Sequence, residues 1–236
     1  MSLAPDSVMA LWICRLLQTT DSFYPTGTYA HSFGLEGLVQ TGSIVDRATL
    51  REFLLSQVIP QLGRTDLPVA ARAWAAAGDP SNWDTLRSLC ELGAALRGTR
   101  ETRSASGAIG AQRLDFAAML HGGLAAEFNR QAGAGGWPRP SCVAAAIEGR
   151  ALGAPCEAVL ASLLYGSVSS LVAAAVKLLR LGQNASHTLL AELLAAGAAE
   201  IAAAPTRPLE ALGAFNPWWD IASARHETAD FRLFIS

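Results

Sequence analysis

Apolar positions recur at helical spacing along almost the whole chain. Residues 8–18 place Val8, Leu11, Trp12 and Leu16 on one stripe. Residues 46–58 repeat the pattern with Leu50, Phe53, Leu54 and Val58 behind an Asp46 cap. Pro60 should stop that helix, because proline lacks the amide N–H and blocks continuation. "TDLPVAARAWAAA" opens at Thr65 or Asp66 and closes at Gly78-Asp79-Pro80. "SNWDTLRSLCELGAAL" starts from a Ser81 cap, with Asp84 completing a weak capping box. A more polar helix over 99–120 ends or bends at Gly122-Gly123, and others are predicted at 141–153, 156–180 and 183–203. Nowhere do β-branched residues alternate with the period of two that a strand requires.

The prediction is an all-α fold: a single helical-bundle domain over 1–236, with roughly eight to ten helices of ~11–12 residues. Its central, buried apolar helix is 156–180, uncharged from Ala158 to Val176. That run is just long enough to cross a bilayer. It nevertheless contains Ser162, Tyr165, Ser167, Ser169 and Ser170, and no second segment is expected to match its length. A helix buried on all sides of a bundle gives the same hydropathy, so no membrane span is expected. "QAGAGGWPRP", residues 131–140, is read as a loop inside the domain, since neither half alone carries a complete amphipathic set.

Composition narrows the function. The chain has 18 basic and 20 acidic residues, a net charge of −2 and 51% hydrophobic content. Nucleic-acid binders carry a basic surplus, which is missing here. Only 16% of residues are charged, and a surface so poor in charge often lies against a partner. The first residues lack the basic start and small-residue cleavage pattern of a signal peptide. Cys14, Cys90, Cys142 and Cys156 form no CxxC pair and read as buried, reduced thiols of a cytoplasmic protein.

No catalytic or metal-binding constellation emerges. Neither GxxxxGK[ST] nor GxGxxG occurs. "YGSVSS" at 165–170 lacks the Gly-x-Ser-x-Gly elbow of a nucleophilic serine. The histidines at 31, 121, 187 and 226 are scattered; His226 with Asp230 is the nearest approach to a metal pair, and a solvated or capping histidine explains it better. The expectation is no catalytic residue, no metal site and no cofactor. An alternative is a helical enzyme with a pocket around Tyr24, His31 and Glu36, where a phenol, an imidazole and a carboxylate would share proton transfer.

Two stretches look unlike core or ordinary surface. "DSFYPTGTYAHSFGLE", residues 21–36, breaks an apolar helical context with turns: Pro25 and Gly27 suit a tight turn, Ser32 caps the next helix, and Glu36 favours its dipole. "FNPWWDIASARHETADFRLFIS" clusters Phe215, Trp218, Trp219, Phe231 and Phe234 with Asp220, Arg225, His226, Glu227 and Arg232. Termini are usually polar, whereas aromatic and arginine residues anchor interfaces. The 226–236 tail is therefore expected to depend on a partner.

In these regions the chain resembles the urease accessory protein UreF family. The entry pattern appears as "LLQTTDSFYPTGTYAHSFGLEGLVQTG", the late helix as "YGSVSSLVAAAVKLLRLGQ", and the ending as "PWWDIASARHETADFRLFIS". The matches run in the family's order from about residue 11 to 236. Pro140 or Ser141 stands where members usually carry a histidine, and Lys177 where many have arginine.

The resemblance implies a non-enzymatic, all-α chaperone for nickel insertion into urease. It implies a homodimer that binds the accessory protein UreD (UreH in some species), recruits the GTPase UreG and docks on the urease apoprotein, with possible influence on GTP turnover or nickel transfer. The partner-binding residues it points to are Tyr24, Pro25, Gly27, Tyr29, His31, Ser32 and Glu36 near the start. Lys177 and Gln183 follow at the late helix, and Asp220, Arg225, His226, Arg232, Leu233 and Phe234 at the end.

Overall fold

The computed structural model describes residues 5–79, 81–226 and 232–235, with side chains from residue 11 onward. Among the described residues every regular element is helical. The chain runs through α1 (Pro5–Gln18), α2 (Leu35–Gln40), α3 (Arg47–Phe53), α4 (Ile59–Arg64), α5 (Asp66–Ala76) and α6 (Trp83–Ala95). It continues through α7 (Arg100–His121), α8 (Gly123–Ala134), α9 (Ser141–Ala151), α10 (Cys156–Leu179), α11 (Gln183–Ala203) and α12 (Pro217–His226). The all-α expectation holds.

Local chemistry explains most boundaries. Asp46 caps α3 through a reciprocal box: its carboxylate accepts from Thr49 N at 2.9 Å, and Thr49 Oγ1 accepts from Asp46 N at 3.1 Å. Pro60, expected as a stop, instead sits in the first turn of α4, where a missing N–H costs nothing. A π-helical turn over Leu54–Val58 joins α3 to α4. Ser81 turns back onto Asp79 Oδ1 at 2.8 Å through its hydroxyl, and Asn82 takes the cap position of α6. Gln131–Ala134 extend α8, because Gln131 bonds Glu127 at 3.0 Å and Ala132 is buried. The Gly/Pro break is therefore confined to 135–140.

The most enclosed element is α9 rather than α10. Cys142 to Gly149 are all buried, with α5, α6, α7, α8 and α10 packed around them. Alanines and glycines permit that crowding: a Cβ at Gly110 would come within 1.9 Å of Arg139 O, and one at Gly149 within 2.3 Å of Val159. α10 lies against α9, α5, α2 and α11 while keeping Ala161 and Tyr165 exposed. Among the described residues two helical segments, Cys156–Leu179 and Gln183–Thr206, are long and apolar enough to cross a membrane, whereas the sequence suggested α10 alone. Half of the α10 window is buried against the rest of the chain.

The α10–α11 contact is tight at one point. A Cβ on Gly197 would meet Leu164 Cδ2 at 2.4 Å, and Leu164 is itself fully buried. Gly197→Ala should cost about 1–3 kcal/mol of unfolding free energy through overpacking, and Leu164→Ala about 2–5 kcal/mol through the cavity it leaves. Combined, they should cost less than the sum, because the cavity receives the new methyl. Denaturant titration of both single variants and the double variant measures this; strict additivity would contradict the contact.

Candidate functional site

The opening stretch is built by short-range turns. Thr26 N donates to Tyr24 O at 2.8 Å across Pro25, and Ala30 N to Gly27 O at 3.0 Å. Gly27 takes φ 72°, where a side chain would be strained. The chain then passes through Phe33 (φ 50°) and Gly34 (φ 86°) into α2. Gly34 is the formal cap, but Ser32 Oγ accepts from Glu36 N at 3.3 Å, so the expected serine does serve this turn. The aromatic residues divide: Tyr24 is buried and Phe33 half-buried, while Phe23 and Tyr29 are exposed.

α12 closes over this turn. Trp219 Nε1 donates to Phe33 O at 2.7 Å, and Thr99 Oγ1 lies 3.2 Å from Ser223 Oγ. At Gly37 a Cβ would meet Ala222 O at 2.5 Å, so α2 and α12 are in backbone contact there. Under this lid His226, with 1% of its surface exposed, lies between two carboxylates. Its Nε2 is 2.8 Å from Glu36 Oε2, and its Nδ1 is 3.0 Å from Glu101 Oε1. The solvated or capping histidine expected at 226 is thus a buried hydrogen-bond partner of two carboxylates. Removing one member would leave a buried polar group without its partner, at a cost of about 1–3 kcal/mol.

The tail joins the same cluster. Leu233 N and Phe234 N donate to Glu36 at 2.8 and 3.1 Å. Phe234 is buried, with the Lys177 ammonium 5.3 Å from its ring centroid. Leu233 and Arg232 are exposed. Phe231 and Glu227, members of the expected aromatic and charged cluster, lie outside the described residues, as does Asp230.

A second buried polar group centres on Glu148, which is wholly enclosed. Arg113 Nε donates to it at 2.6 Å, the Tyr24 hydroxyl donates to its other oxygen, and His121 Nε2 stands 4.0 Å away. Burial, then the neighbouring Glu148 carboxylate, pushes the Tyr24 phenol well above its usual range, so it stays a donor. Burial lowers His121, with Glu148 opposing. Tyr24 and Glu36 have separate partners, so the supposed trio of Tyr24, His31 and Glu36 is not one hydrogen-bonded set. His31 is buried against the Phe33 ring at 5.8 Å, and burial lowers its pKa while Glu101 pulls the other way.

A cavity of about 320 Å³ runs between the opening stretch and α12, with Thr26, Tyr29, Arg97, Arg113, Trp219 and Asp220 among its walls. Partial burial raises the Asp220 carboxyl. Pro25, Gln183 and Arg225 lie on the surface. Cys14 is exposed and Cys156 half-buried, so only Cys90 and Cys142 are the buried thiols expected, with burial pushing Cys90 up to about 12. Among the described residues no group of three or more His, Cys, Asp or Glu side chains is placed to hold a metal ion.

Comparison with known proteins gives the family of the chain. The UreF family model matches residues 44–194, more than half of the chain. Similar proteins include the urease accessory protein UreF of Rhodopseudomonas palustris, 33% identical over 99% of this chain and 97% of its own length. Those of Cereibacter sphaeroides, at 33%, and Paenarthrobacter aurescens, at 32%, align with 96% of this chain and 99% of their own lengths. The chain belongs to the UreF family.

The UreF-like entry, late-helix and C-terminal patterns, far apart in sequence, are brought together through Glu36, Lys177, His226 and Phe234. Sequence reasoning missed Glu101, Arg113 and Glu148. Glu101 shares its helix face with Ala105 and Ile109, all buried, so a charge at an apolar register position was its signal. Glu148 likewise sits inside the apolar run "CVAAAIEG".

Tyr24→Phe deletes one donor to an enclosed carboxylate and leaves Arg113 in place. It should destabilise the fold by about 1–3 kcal/mol, read by chemical denaturation. A change below about 0.5 kcal/mol, the size of an ordinary surface substitution, would show that the bond carries no weight.

Proposed function

We propose that this chain acts as a urease accessory scaffold in nickel insertion, bridging a UreD/UreH-type protein and a UreG-type GTPase on the urease apoprotein. The supporting observation is the contact of Glu36 with His226, Leu233 and Phe234, which joins the start and end of the chain into one shaped face. Beside it lies an apolar strip: Phe215 is 87% exposed, Trp218 46% and Ile221 53%. Aromatic groups ringed by polar residues are what a protein interface uses as anchors.

Within that reading the residues divide by exposure. Pro25, Gly27, Tyr29, Lys177, Gln183, Asp220, Arg225, Arg232 and Leu233 are on the surface and would touch partners. Tyr24, His31, Ser32, Glu36, His226 and Phe234 are buried in this chain and would shape what is presented. The scaffold works as a cytoplasmic homodimer, forms a single domain and has no catalytic role of its own. Nickel is cargo of the assembly, and GTP turnover by the UreG-type partner is modulated through contact.

Co-expression with the UreD-type and UreG-type proteins tests this. The three should co-purify, and deleting this chain should abolish urease activation. Trp218→Ala and Phe215→Ala together should reduce capture of the UreD-type protein by at least about tenfold, the size of a typical hot-spot loss, with the helical content unchanged. Separate elution of all three proteins, with urease activation undiminished by the deletion, would contradict the proposal.

A further inference from the structure

The cavity between the opening stretch and α12, about 320 Å³ in volume, falls within the ~300–1,000 Å³ that small-molecule pockets occupy. Its wall is rich in hydroxyls whose protons are already placed on helical carbonyls. Thr19 donates to Leu16 O and Thr20 to Leu17 O, both at 2.8 Å. On α10, Ser162 donates to Val159 O at 2.9 Å, Ser167 to Leu163 O at 2.8 Å and Ser170 to Ser167 O at 2.9 Å. A hydroxyl has one proton and two lone pairs, so these groups offer an occupant acceptors alone.

The stronger donors of the wall are engaged as well. Arg97 pairs with Asp66, Arg113 Nε donates to Glu148 at 2.6 Å, and Trp219 Nε1 donates to Phe33 O at 2.7 Å. With those pairs formed, the carboxylates of Asp21 and Asp220 leave the wall a surplus of negative charge. Partial burial raises the Asp220 carboxyl, and a cation beside it would offset that. The apolar part of the wall includes Val58, Leu62, Leu96, Ile109, Leu163 and Leu171. A matching occupant donates hydrogen bonds, carries positive charge and presents apolar surface. An acceptor-only anion would meet lone pairs and carboxylates instead.

We propose that this cavity binds a short aliphatic amine cation, with its methylenes on the apolar wall and its ammonium protons on the hydroxyl lone pairs and the carboxylates of Asp21 and Asp220. The wall is drawn from the opening stretch, α4, α7, α10 and α12, so an occupant braces the opening stretch against α12 from within. Binding belongs to this chain alone and is independent of the scaffold reading above.

Titration of the full-length protein with 1,4-diaminobutane at neutral pH, followed by amide NMR and thermal unfolding, tests this. Succinate, with the same number of carbons but only acceptors, is the control. The diamine should give saturable shifts clustered at Thr19, Thr20, Ser162, Ser167, Ser170 and Asp220, and a Tm that rises with its concentration. Succinate should give neither. Asp220→Asn should weaken binding by about two- to fivefold, the scale of a solvent-facing charge pair. Gly166 lines the cavity on the same helix face as Ser162, Leu163 and Ser170, and a Cβ there would meet no atom within 4 Å. Gly166→Leu should therefore fill the space and abolish the saturable shifts; Asp220→Asn still serves if that variant does not fold. Unsaturated shifts spread over surface carboxylates, equal binding of succinate, or undiminished binding by either folded variant would overturn the proposal.

Discussion

The structure depends most on one buried histidine held between two glutamates. His226 comes from α12, more than a hundred residues from its partners Glu36 of α2 and Glu101 of α7. Charges in a low-dielectric interior are tolerated only when each has its partner in place. That demand fixes α12 across α2, sets the Ala222 carbonyl against Gly37, and brings the tail amides onto Glu36. The two ends of the chain thus become one surface.

Everything beneath that surface is arranged for close approach. α9 is enclosed by helices whose alanine and glycine positions leave no room for larger side chains. Glu148, sunk into α9, performs for the opening stretch what Glu36 performs for the tail: it collects Tyr24 and Arg113 around one carboxylate. The opening turn is therefore pinned at Tyr24 through α9 and at Glu36 through α12. Tyr29 and Phe23 are left outward between the two pins. Turn chemistry near Gly27 bends the chain there, and buried carboxylates decide which aromatic residues remain free to meet a partner.

The helical class and most boundaries were legible in the sequence because they are local: capping at Asp46, periodic leucines, glycine pairs at helix ends. The unusual make-up of residues 21–36 and of the C-terminal region was legible too, from turn residues and aromatic content out of keeping with their surroundings. The pairing of His226 with Glu36 was not, because nothing in a linear pattern says that a histidine with carboxylates nearby in sequence will find others from α2 and α7. Pro60 misled for a related reason. Its cost depends on hydrogen-bond register, and the π-helical turn before it placed the ring where no N–H was required. Glu101 and Glu148 carried a signal, a charge on an apolar face, that reads as a flaw in the pattern until its partner is seen.

Lys177 gives direct access to the central claim that the joined ends form a partner-binding face. It is the sole lysine in the chain, exposed, with its ammonium above the Phe234 ring. Amine acylation can therefore be followed at this one side chain by mass spectrometry, with the N-terminal amine as internal reference. In the assembled complex with the UreD-type and UreG-type proteins, Lys177 should be protected by about tenfold or more relative to the free chain, as expected for a residue buried in a stable interface. Equal acylation of Lys177 in the free and assembled chain would contradict the account.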